Sequence, residues 1–374
     1  MTVLVVFAAA SAAAIVLIWL GYPLLVWSAA QIFGRPIRPD HAAALNRTVS
    51  VILATRDDVS VLTARIANLI ETDHPANQLQ IVVALDADGA QATAESLTRI
   101  DARVLVVRGD IAGGKAATLN AGVRAATGAV LVMADAQQRF DRRTIPELVA
   151  ALEDERFGAV SGALSLGGSN SSPVHRYWVL EKWLRYNESK LHSSVGVTGA
   201  VYATRRVLWP IIPDETLLDD VFVPMSLVMR GQRVGFTYAA RAWDVRAFDA
   251  AAETARKTRT LTGVLQLRQK LPGLLSPRRN PIWAQFVAHK LLRLTTPVFV
   301  VTGVVSTLLL AVVLFARAQP QTQLLVATAL VLPLLIPGVR HSVMGTVRWI
   351  FAMQRATTRA TVNGMRARWQ VWSR

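Results

Sequence analysis

The chain has 374 residues, of which 52% are apolar and 18% charged, so it is too long for a mini-protein and too apolar for a disordered segment. It contains no cysteine, which excludes disulfides, thiolate zinc sites, iron–sulfur clusters and cysteine nucleophiles. The formal charge of +16 is unevenly distributed along the chain, because residues 35–255 hold all 25 acidic residues and residues 256–374 hold none. A near-neutral centre followed by a basic, apolar end is typical of a protein held at an anionic membrane and argues against nucleic-acid binding.

The N-terminal segment, residues 1–34, carries no charged side chain. Its apolar run from Val3 to Phe33 exceeds the ~20 residues that are needed to cross a bilayer. No basic residues precede the run and no clear cleavage site follows it, which disfavours a signal peptide. We therefore predict an N-terminal transmembrane helix that is bent at Gly21–Pro23 and has Arg35 and Arg38 at its cytoplasmic end.

The central segment, residues 35–255, alternates short β-branched runs with stretches of helical character. This alternation predicts an α/β domain in which helices cover both faces of a parallel sheet. The predicted strands are Val49–Leu53, Leu79–Leu85, Val104–Val107 and Ala129–Met133, and the predicted helices are Val61–Glu71, Gln91–Arg99 and Ala116–Ala126.

Polar residues follow each of the four predicted strands. Ligands of parallel sheets bind beyond the carboxyl ends of the strands, so these residues are the first indication of a functional site. They are Thr55–Asp58, Asp86–Gly89, Arg108–Asp110 and Asp135–Gln137.

The segment Gly109–Lys115 matches G-x-x-x-x-G-K, the pattern of a phosphate-binding loop, between a predicted strand and a predicted helix. The next residue is Ala116, so the hydroxyl that binds magnesium in that motif is missing. A P-loop nucleoside triphosphatase is therefore kept only as an alternative, with Asp135 as a stand-in for its second metal-binding carboxylate.

The paired carboxylates Asp219 and Asp220 directly precede a predicted helix. Paired aspartates in that position are commonly an N-terminal cap with a stabilising charge in the first turn. They are equally the residue type that a general base requires. The two residues alone favour the helix cap over a catalytic base.

Residues 256–293 combine nine Lys and Arg with recurring apolar residues, and Pro272-Gly273 and Pro277 interrupt them. This pattern predicts amphipathic helices that lie on the membrane face. The following residues, 294–339, form two uncharged stretches on either side of Arg317, and each is long enough to span a bilayer.

The C-terminal tail, residues 340–374, holds seven arginines and no acidic residue. The positive-inside rule places this tail in the cytoplasm, and two crossings back along the chain place residues 35–293 there as well. A total of three spans is therefore expected.

Five sequence elements, taken in order, resemble the family 2 inverting glycosyltransferases, especially membrane-bound bacterial polysaccharide synthases. The elements are Asp86, Gly113–Gly122, Ala134–Gln137, Val197–Ala203 and Leu218–Asp220. The resemblance covers roughly residues 20–345. It implies a GT-A (Rossmann-like) nucleotide-sugar-binding domain in residues 35–255, with transmembrane helices on both sides of it.

The resemblance also implies how a nucleotide-sugar donor is held. Thr55, Asp86 and Lys115 would contact the nucleotide. Asp135 matches the first aspartate of the D-x-D metal motif of the family, whereas Gln137 replaces the second. The implied cofactor is Mg²⁺ or Mn²⁺, held by one carboxylate, an amide oxygen and the diphosphate.

In the same resemblance, Asp220 corresponds to the catalytic base and Asp219 to a supporting carboxylate. The Q-x-x-R-W element of processive synthases is missing, which puts processivity in doubt. Arg256 and Arg259 lie in its neighbourhood, where they would grip the leaving diphosphate or form a basic cluster at the membrane surface.

Acceptor contacts are expected from Gly199 and Ala200 and from the preceding segment with Trp178 and Glu181. For the tryptophan, packing in the core is the commoner role.

The expected function is transfer of a sugar, with inversion, from a nucleotide-diphosphate sugar to a glycan or lipid-linked acceptor. The enzyme would be an integral membrane protein of the bacterial inner membrane with a cytoplasmic catalytic domain. Three spans are few for a polymer channel, which predicts partner subunits for secretion. A non-catalytic scaffold with a decayed metal site is a further alternative, supported by Gln137 and the altered first loop Ala54–Asp58.

Overall fold

The computed structural model describes residues 1–87, 91–110, 114–167, 173–245, 250–331 and 337–369. The chain divides into two compact units. Unit 1 comprises Met1–Leu25, Ala250–Thr262 and Val287–Arg374, and unit 2 comprises Val26–Asp249 and Gly263–Phe286.

The secondary structure of the chain is mixed. The strands are β1 (Val49–Thr55), β2 (Leu79–Leu85), β3 (Val104–Arg108), β4 (Val130–Ala134), β5 (Gln138–Phe140), β6 (Phe157–Ser165), β7 (Val201–Arg205) and β8 (Arg233–Asp244). The helices are α1 (Thr2–Val16), α2 (Tyr22–Phe33), α3 (His41–Ala44), α4 (Val59–Ile70), α5 (Gln91–Thr98), α6 (Lys115–Ala125), α7 (Thr144–Leu152), α8 (Pro173–Leu191), α9 (Asp219–Met229), α10 (Ala250–Lys270), α11 (Trp283–Phe286), α12 (Thr296–Arg317), α13 (Pro320–Val331) and α14 (Pro337–Met365).

Unit 2 is built around one eight-stranded sheet with the order β3-β2-β1-β4-β7-β6-β8-β5. Strand β1 lies between β2 and β4 and is parallel to both. Its residues Ile52 and Leu53 are completely buried, as expected for a strand that is covered on both faces. The four strands and three helices predicted from the sequence are all present, with ends that differ by one or two residues.

The expected all-parallel sheet is found only in the half formed by β3, β2, β1 and β4. In the other half, β7 is antiparallel to β4 and to β6, β5 is antiparallel to β8, and β6 is parallel to β8. Strands and helices continue to alternate along the chain here, so the alternation by itself does not show which neighbouring strands are antiparallel. Strand β6, with the sequence FGAVSGALS, also lacks the β-branched run that marked the earlier strands.

Helix α6 lies directly on the parallel half of the sheet. A Cβ atom at its Gly122 would lie 2.9 Å from a side-chain methyl of Ile52 and 3.2 Å from the Cβ of Ala84. Glycine therefore allows a close approach between this helix and strands β1 and β2. The approach places the first residue of α6, Lys115, at the carboxyl edge of the sheet.

The described part of unit 1 consists of helices, and large apolar side chains are exposed along α1 and α12. Two helical runs, Thr2–Phe33 and Trp283–Arg317, are long and apolar enough to cross a membrane, which by itself is weak evidence of crossing. A π-helical turn at Leu17–Gly21 directly precedes the position of the predicted bend, which stays a prediction. The predicted third span includes residues 332–336, which lie outside the described residues, and it stays a prediction.

Candidate active site

The carboxyl ends of three parallel strands bring the first group of predicted site residues to one edge of the sheet. Thr55 ends β1, Asp86 follows β2 and Asp135 follows β4. The backbone N–H of Asp86 donates to the carbonyl of Thr55 over 3.1 Å. This arrangement is the one expected of a ligand site in an open α/β sheet.

Two loops at this edge are joined by side-chain hydrogen bonds. The hydroxyl of Thr55 donates to Asp57 Oδ2 over 2.8 Å, and Gln137 Nε2 donates to Asp57 Oδ1 over 2.6 Å. The loops after β1 and β4 are thus linked through Asp57. The next residue along the first loop, Arg56, lies with its Nε 3.4 Å from Asp86 Oδ2.

A lysine stands between two of the predicted carboxylates. Lys115 Nζ is 3.2 Å from Asp135 Oδ1 and 3.8 Å from Asp219 Oδ2. These residues come from α6, from the loop after β4 and from α9, so the contact exists only in the folded domain. The Lys115 side chain remains about one third exposed, which leaves the group accessible to a ligand.

The predicted base, Asp220, lies in the first turn of α9, where the partial positive charge of the helix N-terminus stabilises a carboxylate. Its carbonyl accepts a 2.9 Å hydrogen bond from the N–H of Val197. A Cβ atom at Gly199 would lie 3.3 Å from the Cβ of Asp220. The segment that contains Gly199 and Ala200 therefore packs directly against Asp220.

Tyr202 reports on the charge of the site. Burial, and then the negative charges of Asp219, Asp220 and Asp135, hold the pKa of its hydroxyl well above the ordinary value. The hydroxyl is buried and has no hydrogen-bond partner among the described residues. The three carboxylates therefore lie close enough to the buried Tyr202 hydroxyl to raise its pKa.

Arg65 of α4 forms a hydrogen bond with the backbone of Asp135. Its Nε donates to the backbone carbonyl of Asp135 over 3.1 Å, and its Nη1 donates to Asn68 Oδ1 over 2.5 Å. The guanidinium also lies 4.1 Å from the centroid of the Phe140 ring. Burial lowers the pKa of Arg65 to about 9, so the group stays charged at neutral pH.

The residues that could hold a metal ion are few. Among the described parts of the chain there is no group of three or more His, Cys, Asp or Glu that could form a metal site by itself. Asp135 is partly exposed. The amide nitrogen of Gln137 donates a hydrogen bond to Asp57, which leaves the amide oxygen of Gln137 as an acceptor. This donor set suits an ion that takes further oxygens from a bound phosphate group.

The other predicted contacts are distributed as follows. On α8, Glu181 is buried and Trp178 is partly buried. Arg185 of the same helix donates to the Thr198 hydroxyl over 3.1 Å. Arg256 and Arg259 lie in the part of α10 that belongs to unit 1. Acceptor binding by Trp178 and Glu181 stays a prediction, and so does diphosphate binding by Arg256 and Arg259.

A family comparison decides what kind of domain surrounds this site. Residues 50–208 match the family model described as Glycosyl transferase family 2. This segment is a family 2 glycosyltransferase domain. It contains Thr55, Asp86, Lys115 and Asp135, whereas Asp219 and Asp220 follow its end.

The chain is similar to solved structures of glycosyltransferases. The mannosyltransferase PcManGT from Pyrobaculum calidifontis, solved in complex with GDP-Man and Mn2+, has a TM-score of 0.69 and 22% identity, covering 97% of this chain and 99% of that one. S. aureus TarS, solved in complex with UDP-GlcNAc, has a TM-score of 0.46 and 13% identity, covering 64% and 71%. No curated protein matches the chain. The family match and the first structure together identify the α/β fold as the GT-A type.

The glycosyltransferase domain overturns the P-loop alternative. Residues 111–113 of the G-x-x-x-x-G-K segment lie outside the described residues. Lys115, the lysine of that pattern, forms an ion pair with Asp135 in a domain of the glycosyltransferase family.

Two polar residues of the site, Asp57 and Arg65, were not among the predicted site residues. Asp57 stood in the polar loop after the first strand, which was the available signal. No signal in the sequence indicated Arg65, because an arginine inside an amphipathic helix is ordinarily solvent-exposed. Only the folded structure shows that Arg65 is buried.

Proposed function

We propose that the protein is a membrane-anchored inverting glycosyltransferase that transfers a sugar from a nucleotide-diphosphate sugar to a glycan or lipid-linked acceptor. The observation that carries the proposal is the position of Lys115 between Asp135 and Asp219, with Asp220 adjacent in sequence. Lys115 and Asp135 lie in the segment that matches glycosyltransferase family 2, and Asp219 and Asp220 follow its end. This cluster offers both a cation for a diphosphate and carboxylates for proton transfer.

The donor would bind at the carboxyl edge of the parallel strands. Thr55 and Asp86 are buried polar residues at that edge, and they suit recognition of a nucleoside by hydrogen bonds. Lys115 would turn from Asp135 toward the negatively charged diphosphate. Support comes from the Pyrobaculum mannosyltransferase, which was solved with a nucleotide sugar and Mn2+.

Asp135 and the amide oxygen of Gln137 would hold a divalent cation together with the donor phosphates. Such an ion supplies positive charge to the departing diphosphate. A single carboxylate and a neutral amide predict weak metal binding in the absence of nucleotide.

The chemical step would be a single displacement. Asp220 accepts the proton of the acceptor hydroxyl while the oxygen attacks the anomeric carbon, and the bond between that carbon and the diphosphate oxygen breaks. Attack opposite the leaving group inverts the configuration. Asp219, whose Oδ2 lies 3.8 Å from Lys115 Nζ, would keep the lysine oriented toward the leaving group, and the lysine would stabilise the charge of that group.

Membrane anchoring rests on the apolar surface of unit 1 and the basic tail. In the most apolar 18-residue stretch of the runs Thr2–Phe33 and Trp283–Arg317, only 11% and 6% of the residues are buried within the chain, which suits lipid as their surroundings. The arginines after residue 339 would then face the cytoplasm, and in a bacterium the membrane would be the inner one. Partner subunits for export of a glycan are part of this proposal.

The test is release of nucleoside diphosphate from a panel of nucleotide sugars by the detergent-solubilised protein, with Mg²⁺, with Mn²⁺ and with a chelator. We expect metal-dependent release from one donor. Asp220→Asn should lower turnover by at least about 100-fold, because it removes the base, while nucleotide binding persists. Asp73→Asn is the matched control, since Asp73 forms an exposed pair with Arg142.

Each outcome discriminates between hypotheses. Near-normal turnover by Asp220→Asn would remove Asp220 from the role of base. Absence of both turnover and nucleotide binding in the wild-type protein would favour the non-catalytic scaffold. Binding without turnover, restored by membrane extract, would identify the acceptor as the missing component and support the proposal.

A further inference from the structure

A short irregular segment leads into the predicted base. This segment, residues 213–218, is called the strap here; it follows Ile212 and ends at Leu218, the residue that caps α9. Glu215 in the strap has a φ of 59°, which is uncommon for a residue other than glycine. A segment without ladder hydrogen bonds and with a residue in the left-handed region must be held by other groups.

The side chain of Gln266, on α10, supplies two of the bonds that hold it. Its Oε1 accepts from the N–H of Leu217 over 2.9 Å, and its Nε2 donates to the carbonyl of Glu215 over 2.8 Å. Gln266 is 1% exposed, so water does not compete for either bond. One amide thus satisfies a backbone donor and a backbone acceptor on the two sides of Thr216.

The same face of α10 contacts the strap one turn earlier and one turn later. A Cβ atom at Gly263 would lie 2.5 Å from Leu218 Cγ, so the strap rests directly on the helix backbone there. Lys270 Nζ donates to the carbonyl of Asp214 over 2.8 Å. Residues spaced by three and four positions share one face of a helix, so the strap lies along this face over its full length.

The end of the strap determines where α9 begins. The carbonyl of Leu218 accepts from the N–H of Phe222 over 2.8 Å, which closes the first turn of the helix around Asp219 and Asp220. On the other side, the carbonyl of Asp220 accepts from Val197. Asp220 is therefore held between the Val197–Gly199 segment and the strap.

We infer that Gln266 is a positioning residue for Asp220: its amide fixes the strap, and the strap fixes the carboxylate relative to the acceptor. This inference rests on the proposed function. Catalytic groups must be held within a fraction of an ångström, so a loosened strap should slow the chemical step more than it weakens donor binding.

Gln266→Met tests the inference, because methionine keeps the length of the side chain and removes both hydrogen bonds. We expect kcat to fall at least about tenfold, with the KM for the nucleotide sugar within about twofold of the wild-type value. Hydrogen exchange of the peptide that covers residues 213–220 should become faster. Gln269→Met is the matched control, since Gln269 lies on the same helix and is exposed.

Gly263→Ala provides a second variant with a different physical cause. The added methyl group would displace Leu218 while Gln266 remains chemically intact, and it should reproduce the loss of kcat and the faster exchange. Both variants must first show cooperative thermal unfolding.

The inference is overturned by folded Gln266→Met protein with wild-type kcat, or by a loss that appears only in KM. An inactive wild-type protein would instead count against the proposed function. In that case, an unchanged rate of hydrogen exchange in the strap of Gln266→Met would separately refute the inference that Gln266 holds the strap.

Discussion

Units 1 and 2 treat apolar side chains in opposite ways. In unit 2 the apolar residues are inside: Leu53 and Val132 are completely buried. In unit 1 they are outside, since Leu17 is 66% and Val312 65% exposed. Polar residues of unit 1 are inside instead, among them Ser11, which is 3% exposed.

If unit 1 lies in a membrane, as proposed, the contrast reflects two different solvents. Water drives apolar residues together in unit 2, whereas helices in lipid gain nothing from hiding apolar side chains and associate through small and polar residues. Unit 1 shows such contacts: Trp19 Nε1 donates to the Thr296 hydroxyl over 3.2 Å, and Gly303 lies close to Ser11. The same residue types thus form the buried core of unit 2 and the exposed surface of unit 1.

The largest effect should come from removing leucine volume in unit 2. Leu53 lies in β1, where it is opposite Val83 of β2 and Ala134 of β4, so Leu53→Ala leaves a cavity and should cost about 2–5 kcal/mol of unfolding free energy. Leu17→Ala in unit 1 should cost less than about 1 kcal/mol. Thermal unfolding of both variants in detergent measures the difference, and equal losses would refute the contrast.

The second effect concerns a charge on each exposed surface. Val304 is 53% exposed in the middle of α12, and Val207 is 87% exposed in unit 2. If lipid surrounds α12, Val304→Lys should oppose membrane insertion by about 2.5–3.5 kcal/mol, while Val207→Lys stays within about 0.5 kcal/mol of wild type in stability. The membrane-bound fraction after expression reports the first cost. Normal insertion of Val304→Lys would argue that α12 does not face lipid.

The smallest effect is a pH dependence confined to unit 2. Burial lowers the pKa of His74 below the ordinary 6.5, although a bond to the Arg47 carbonyl opposes the shift. Its Nε2–H donates to that carbonyl over 3.0 Å, and its Nδ1 is buried without a partner among the described residues, so a second proton has no acceptor there. The unfolded chain binds that proton more readily, and stability is therefore lost as the pH falls from 6.5 toward the folded pKa.

His74→Gln should remove this part of the dependence, which amounts to up to about 1 kcal/mol between pH 7.5 and 5.5. Thermal unfolding of wild type and variant across that range makes the comparison. Parallel curves would show that His74 does not contribute.

Local patterns allowed much of unit 2 to be predicted. The apolar runs of β1 to β4 identified the parallel half of the sheet, because each buried strand needs consecutive apolar residues. The mixed half, formed by β7, β6, β8 and β5, escaped prediction, since β6 is rich in small residues and the strands pair over long sequence separations. Likewise, Asp86 and Asp135 were recognisable by their place after strands, while the ion pair of Lys115 with Asp135 depends on the packing of α6.

The amino-acid sequence alone determined the apolar ends, the basic tail, the first four strands and the residue types of the site, because composition and periodicity are local properties. Only the tertiary structure decided that Gln137 bonds to Asp57, that Arg65 is buried behind Asp135 and that Gln266 holds the strap. Those contacts join residues far apart in the chain, and no local pattern encodes which distant groups the closing of the sheet and its helices will bring within hydrogen-bond distance.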